Sequence, residues 1–264
     1  MQKIKKSFDE VMYEYTEWPD DDIPLDDLNF ISDRYFKALE FCRSKDVLEI
    51  GAGSSIAKKE ISEVSNSYTG IDICKDNILR ISEACKDLQI SFSVDNAEDM
   101  KFDDNSFDVV IALAMVYYLD LECFLKEVKR VLKPNGILFF CTSNKDVPGF
   151  NKAPGSKKYL NVYEWNTLLK RHNFSVEFQG SFPLKSFMKL GYRAKVISIL
   201  KSFFIETFGL SNLWKKLREY SKGSLVKIPR YLADFPKYES NTSNIKDLND
   251  NKNKIIYCKC TNLS

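Results

Sequence analysis

The sequence predicts an α/β fold built on a mostly parallel sheet, and three observations carry that expectation. Between residues 46 and 141, short apolar runs alternate with segments whose apolar residues recur at helical spacing, the pattern of a parallel sheet covered on both faces. With 264 residues, the chain fits one enlarged α/β domain or two small ones. Hydrophobic content of 44% and charged content of 29% are ordinary for a globular protein, which excludes global disorder and a fibrous repeat.

Five strands and their connecting helices follow in order. Residues 47–50 form the first strand, and a helix from about Ser55 places Ala57, Ile61 and Val64 on one face. The second strand spans 68–73, after which Asp76 is a fair N-cap for a helix carrying Ile78, Ile81, Cys85 and Leu88 on one side. Residues 90–94 and 107–112 read as the third and fourth strands. A helix with Leu121, Phe124, Leu125, Val128 and Leu132 in its stripe stops at Lys133-Pro134-Asn135-Gly136, and 137–141 is the fifth strand. Before this core, residues 1–45 form a polar arm leading into a helix near 31–42. After it, 162–171 reads as helix and 174–182 as strand, then comes a basic, mostly helical stretch, and 255–260 is the final strand. The expected organisation is therefore one domain: arm and helix (1–45), core (46–182), basic helical insertion or lid (183–240) and last strand (255–260).

Several function classes are disfavoured. The seven cysteines are odd in number, lack paired CxxC spacing and have only His172 as an imidazole partner, so no metal site is expected and a reducing, cytoplasmic setting is the simpler reading. No run approaches eighteen apolar residues, so no membrane span is expected. Net charge is only +2, but it is unevenly placed, with acids prevailing in residues 1–30 and Lys and Arg in 183–230.

The chemistry concentrates after the first strand. In Gly51-Ala52-Gly53, a glycine pair between strand and helix lets backbone approach a ligand closely, with helix N–H groups at its rim. Glu49 is an acid inside an apolar strand, costly unless it faces a ligand cleft or has hydrogen-bonding partners. Asp72 ends the second strand about twenty residues on, where a carboxylate accepts from both hydroxyls of a ribose. A dinucleotide fingerprint needs a third glycine where Ile56 stands, and the Gly-Lys-Ser/Thr of a P-loop is absent. A nucleoside ligand other than a dinucleotide fits best.

In this order the motifs resemble those of the class I (Rossmann-like) S-adenosylmethionine-dependent methyltransferases of the small-molecule type, over residues 47 to about 140. Val47 to Ser55 is similar to the family's first motif, with Glu49 near the methionine portion over Gly51, Ala52 and Gly53. Thr69-Gly70-Ile71-Asp72-Ile73 is similar to the second, which makes Asp72 the ribose ligand with Ile73 beside it. Asp95-Asn96-Ala97-Glu98-Asp99-Met100 resembles the third, with Asn96 where the family often has Asp, an amide oxygen that still accepts from an adenine amine, and with the Ala97 backbone N–H at the ring. Residues 104–110 and 132–136 complete the match. The resemblance implies a three-layer fold whose mostly parallel seven-stranded sheet is closed by an antiparallel last strand, and S-adenosyl-L-methionine as cofactor, released as S-adenosyl-L-homocysteine. Tyr13, with Tyr15 and Trp18, is expected to fold over that cofactor, as N-terminal aromatics do in similar enzymes.

The family faces its acceptor at the fourth-strand end, here residues 112–118 with Ala112 on the cofactor side. That segment lacks the Pro-Pro-aromatic sequence of nucleic-acid amine methylation, and no Pro-Cys nucleophile marks cytosine chemistry, so a small-molecule acceptor is expected and nucleic acid is not. No catalytic base stands out. Tyr117 and Tyr118 are candidates for binding the acceptor, or core aromatics, and His172 reads as a helix-end residue. For the basic segment 184–223, with its stripe of Val196, Ile199, Leu200, Phe203 and Phe204, the readings are a lid, a dock for anionic lipid, a holder of a phosphate-bearing acceptor or a solvated packing helix. Methyl transfer to oxygen or nitrogen of a small molecule, a sugar or phosphate-linked sugar among them, is the expectation. A non-catalytic cofactor-binding scaffold and a nicotinamide-dependent reductase are the alternatives, and oligomeric state is left open.

Overall fold

A computed structural model describes residues 16–86, 88, 90–184, 225–236 and 241–263. In chain order the elements are β1 (Asp22–Pro24), α1 (Leu25–Cys42), β2 (Asp46–Ile50), α2 (Lys58–Val64), β3 (Ser67–Asp72) and α3 (Lys75–Ala84), then β4 (Ser91–Val94) and β5 (Phe107–Leu113). After a 3-10 turn at Val116–Tyr118 come α4 (Leu121–Val131), β6 (Leu132–Ser143), α5 (Val162–Arg171), β7 (Phe174–Pro183), β8 (Leu225–Lys227), β9 (Ser243–Asn244) and β10 (Asn253–Asn262).

The main sheet has the order β4-β3-β2-β5-β6-β10-β7-β9. Its β4-β3-β2-β5-β6 portion is parallel throughout, while β10 runs antiparallel to both β6 and β7. The expected seven strands with an antiparallel last one are present, and the two-residue β9 adds an eighth at the β7 edge. Sequence patterning did not reveal the small ribbon in which β1 pairs with β8.

Period-2 alternation distributes each strand between two cores. Leu48 and Ile50 of β2 with Val110 and Ala112 of β5 join the cluster under α4 and α5. Val47 with Val109, Ile111 and Leu113 join the opposite cluster, under α1 and α2. Helix α1 buries Leu28, Ile31, Tyr35, Ala38 and Cys42, a 3-4-3-4 spacing that makes one continuous stripe. It begins at Leu25, six residues before the expected start, since Pro24 precedes it and Asp26 and Asp27 complement the dipole of its first turn. Helix α4 is capped by the Asp120 carboxylate, which accepts from the Glu122 and Cys123 N–H groups, and α5 by a capping box between Asn161 and Glu164. Trp165 of α5 lies fully buried with its ring 4.6 Å from that of Phe140, a burial contributing roughly 1.5–3 kcal/mol for each large apolar side chain.

The Lys133-to-Gly136 stop expected after α4 lies inside β6. Phe107 pairs with Leu132 but Val109 with Ile137, so residues 133–136 bulge out of the ladder, with Asn135 at φ 61°. Lys133 uses the bulge to bond both Asp46 (2.7 Å) and Asp108 (3.0 Å), tying the starts of β2 and β5 together. None of the seven cysteines is in a disulfide, and among the described residues no group of three or more His, Cys, Asp or Glu is placed to hold a metal ion. No described helix is long and apolar enough to cross a membrane. The basic stripe expected within 184–223 lies outside the described residues beyond Leu184, as does Tyr13.

Candidate active site

A cavity of about 400 Å³ opens where the parallel strands end, at the C-terminal edges of β2, β3, β4 and β5. This is the crevice that an open parallel sheet creates where its strand order reverses, here between β2 and β5.

One half of the wall is the glycine turn. Gly51 and Gly53 adopt φ of 69° and 50°, in the left-handed region that favours glycine. A Cβ on Gly51 would stand 2.9 Å from Met115 Cγ, and one on Gly53 3.1 Å from Thr16 Cγ2, so side chains there would be strained and would crowd the cavity wall. The Ala52 N–H donates to the Ile71 carbonyl (2.9 Å) and the Gly53 N–H to Asp72 Oδ2 (2.8 Å), which locks the turn onto the end of β3. Asp72 Oδ1 accepts from the Cys74 N–H at 2.8 Å. Asp72 also accepts from Asn77 Nδ2 at 3.5 Å and lines the cavity.

Gly51, Ala52 and Gly53 line this half, joined by Asp72 and Ile73 from β3 and by Asn96 and Ala97 from the loop after β4. Asn96 uses its side-chain oxygen to accept from the Glu98 N–H (3.0 Å), and Asp95 caps the same loop through the Asn96 and Lys101 N–H groups. Ala112 does not line the cavity. Its position in the β5 alternation turns it into the α4–α5 core, and Leu113 and Ala114 take the wall.

Glu49 sits behind the turn rather than on the wall. Its carboxylate is buried and accepts from Tyr35 Oη (3.1 Å), Ser55 Oγ (2.7 Å) and Tyr68 Oη. Burial pushes this carboxyl up from its ordinary range, and the Tyr68, Ser55 and Tyr35 hydroxyls pull it back. Its β2 neighbour Val47, two residues earlier, faces the same α1–α2 side, so alternation alone directs Glu49 under α1. What the arrangement does is hold Ser55, at φ 37°, and with it the exit of the turn.

The other half is aromatic and charged. Tyr117 stacks on Tyr159 (4.5 Å between centroids, 17° between planes) and lies 4.7 Å from Tyr118. Burial, reinforced by Tyr159 and Tyr118, raises the Tyr117 phenol well above its usual value, so it stays protonated at neutral pH. Arg34, from the middle of α1, reaches the same space and pairs with Glu17 at 2.7 Å. Burial pulls this guanidinium down, but Glu17, Tyr35 and Cys141 together more than offset it and the net shift is upward. Sequence reading missed Arg34, Glu17 and Lys157. Arg34 alone carried a signal, a charge three residues after Ile31 on the buried stripe of an amphipathic helix.

Trp18, expected over the cofactor, stands elsewhere, and His172 is at the helix end where the sequence puts it. Trp18 is buried against Ile78, Ile81 and Cys85 of α3 with the Arg80 guanidinium 3.9 Å from its ring, while its neighbours Thr16 and Glu17 reach the cavity. His172 ends α5 and bonds Glu122 at 2.7 Å, away from the cavity. Burial, then Arg171, Lys126 and Lys129, lower its pKa, so it serves that helix end as a neutral hydrogen-bonding group.

Comparison with known proteins agrees with this geometry. A family profile described as "Methyltransferase domain" matches residues 48–140. The chain is 29% identical over 167 residues to "Ubiquinone biosynthesis O-methyltransferase" of Pelagibacter ubique, covering 56% of this chain and 69% of that one. It is 32% identical over 124 residues to "Demethylmenaquinone methyltransferase" of Tropheryma whipplei, covering 43% of this chain and half of the relative. Among solved structures, the YcgJ protein of Bacillus subtilis shares the fold with a TM-score of 0.57 at 17% identity, covering 88% of this chain and 98% of its own.

Proposed function

We propose that the chain is a class I S-adenosylmethionine-dependent methyltransferase that methylates an oxygen on a flat, hydroxylated ring. The observation that carries this reading is the stacked Tyr117–Tyr159 pair, with Arg34 across the same space, in the cavity that also holds the glycine turn. An aromatic face suits a planar ring, and a guanidinium with a protonated phenol favours an oxygen bearing negative charge. The two relatives, whose names place them in ubiquinone biosynthesis and in methylation of demethylmenaquinone, support a ring acceptor.

S-adenosylmethionine fits the glycine-turn half, because the cradle would be filled by a Cβ at Gly51 or Gly53 and ends on a carboxylate at a strand tip. When bound it supplies a methyl group already activated on a sulfonium. The residues assigned to it are Gly51, Ala52 and Gly53 under the methionine portion, Asp72 and Ile73 at the ribose, and Asn96 and Ala97 at the adenine. Glu49 acts on this set through Ser55. The remaining work is positional. Holding a ring oxygen in line with the methyl supplies on the order of 7–11 kcal/mol in favourable cases, so no dedicated base is required. Tyr117 keeps its proton and donates a hydrogen bond to the acceptor oxygen, which attacks as a phenolate, Arg34 stabilises the oxygen's charge, and Met115 lines the cavity beside Gly51.

The expectation of a sugar or phosphate-linked sugar rested on the basic insertion, of which residues 185–224 lie outside the described structure, so support now favours the ring. The test is a panel of catechols and hydroxyquinols beside sugar phosphates and primary amines, read as methylated product and S-adenosylhomocysteine. Methyl ether formed from the ring compounds is the expected result. Turnover of the sugar phosphates or amines alone would overturn the reading.

A further inference from the structure

A second cavity, of about 490 Å³, lies beside the first and belongs to no function described so far. Its inner lining is aliphatic, with Leu119, Leu121, Leu160 and Leu168, and charges stand at its rim. The two cavities share Leu119 and Lys157 as wall residues. The partition between them is thin, since the Lys157 and Lys158 N–H groups both donate to the carbonyl of Tyr117 (2.8 and 3.2 Å). Above it, Lys157 Nζ meets Glu98 Oε1 at 2.9 Å, and the same oxygen accepts from the Asp120 N–H at 2.7 Å. An exposed ion pair of this kind is weak and yields readily.

We propose that this second cavity is the subsite for an aliphatic chain carried by the acceptor, which passes from the ring at Tyr117 over Leu119 and under the Lys157–Glu98 pair. The proposal rests on the ring reading given above. Its volume is that of a small-molecule site, and the buried residues of its lining are leucines, with Glu164 half-buried and the other polar and charged residues exposed. The shared wall is what commits the space to the acceptor itself, because a chain leaving the reaction cavity on this side meets the leucines next.

The experiment is a homologous series of alkyl catechols, from methyl to octyl, assayed with the full chain and with Thr167→Trp. Thr167 is exposed on α5, lines the second cavity and does not touch the first, so the indole fills the subsite without entering the core. KM is expected to fall about fourfold for each added methylene, the ratio that corresponds to about 0.8 kcal/mol, until the cavity is full. In the variant this dependence is expected to flatten while methylcatechol keeps its KM and kcat. A KM independent of chain length in the parent, or a series unchanged in Thr167→Trp, would overturn the proposal. Where no ring compound is methylated the ring reading fails. The same series titrated by calorimetry against protein bound to S-adenosylhomocysteine then decides the subsite alone, by whether affinity rises with chain length and Thr167→Trp removes the rise.

Discussion

Along the glycine-turn half, the cavity wall comes from short consecutive runs, residues 51–54, 71–73 and 95–97, whereas the aromatic half is large side chains from residues 17, 34, 115, 117, 118 and 157. The first half comes from strand ends that are neighbours in the sheet, each delivering three or four consecutive residues. The second is assembled from a segment before α1, the middle of α1, the exit of β5 and the loop before α5. The contrast teaches that affinity for the donor is a property of local backbone geometry, and choice of acceptor a property of topology.

The contrast is broken most severely at Gly51. Gly51→Ala forces a side chain into left-handed backbone, at a cost of about 1–2 kcal/mol, and crowds Met115, costing about 1–3 kcal/mol more. Titration calorimetry is expected to show S-adenosylmethionine affinity reduced about a hundredfold or more. An affinity within a fewfold of the parent would mean that the turn does not contact the donor.

A sharper test is reciprocal. Asp72→Ala removes the acceptor of the Gly53 and Cys74 N–H groups and is expected to weaken donor binding by about tenfold or more. Tyr117→Phe, in the other half, is expected to leave donor affinity unchanged and lower kcat/KM for the acceptor by about tenfold. If both variants shift the same parameter, the two halves are not separable.

The smallest effect is expected at Glu49, which serves the first half from behind. Its folded carboxyl is raised by burial, so between the unfolded and folded values the folded state holds the extra proton. The stability it contributes is complete below the unfolded value and is lost as the pH rises through the folded one. Glu49→Gln carries no such slope. Denaturant unfolding is expected to show the variant gaining on the parent as the pH rises above the ordinary carboxylate range. A constant difference above that range would show that Glu49 does not titrate there.

The same contrast governs what the sequence makes legible. Gly51, Gly53 and Asp72 stand out because a strand, a tight turn and the next strand's end are contiguous, and each needs a residue type that few other environments require. The strands of the core and the antiparallel β10 are readable from their apolar runs, to within a few residues at their ends. Ala112 and Glu49 are misplaced when the strand is read only as a run leading to a site, since alternation puts each on the far side from the wall. Arg34 and Lys157 become wall residues only once α1 and the loop before α5 have been folded across the sheet, a placement that spacing along the chain does not encode.

The position of β10 has a consequence for how such a molecule is made. Late in the sequence, it nonetheless lies in the interior of the sheet, hydrogen-bonded on one side to β6 and on the other to β7. During vectorial synthesis both of those strands present open edges until residues 253–262 have emerged, the interval in which an unpaired strand recruits the wrong partner. The donor-binding strands, β2 to β5, have by then long been complete. The donor side of the sheet therefore precedes its far edge in synthesis, and that edge waits for the last strand.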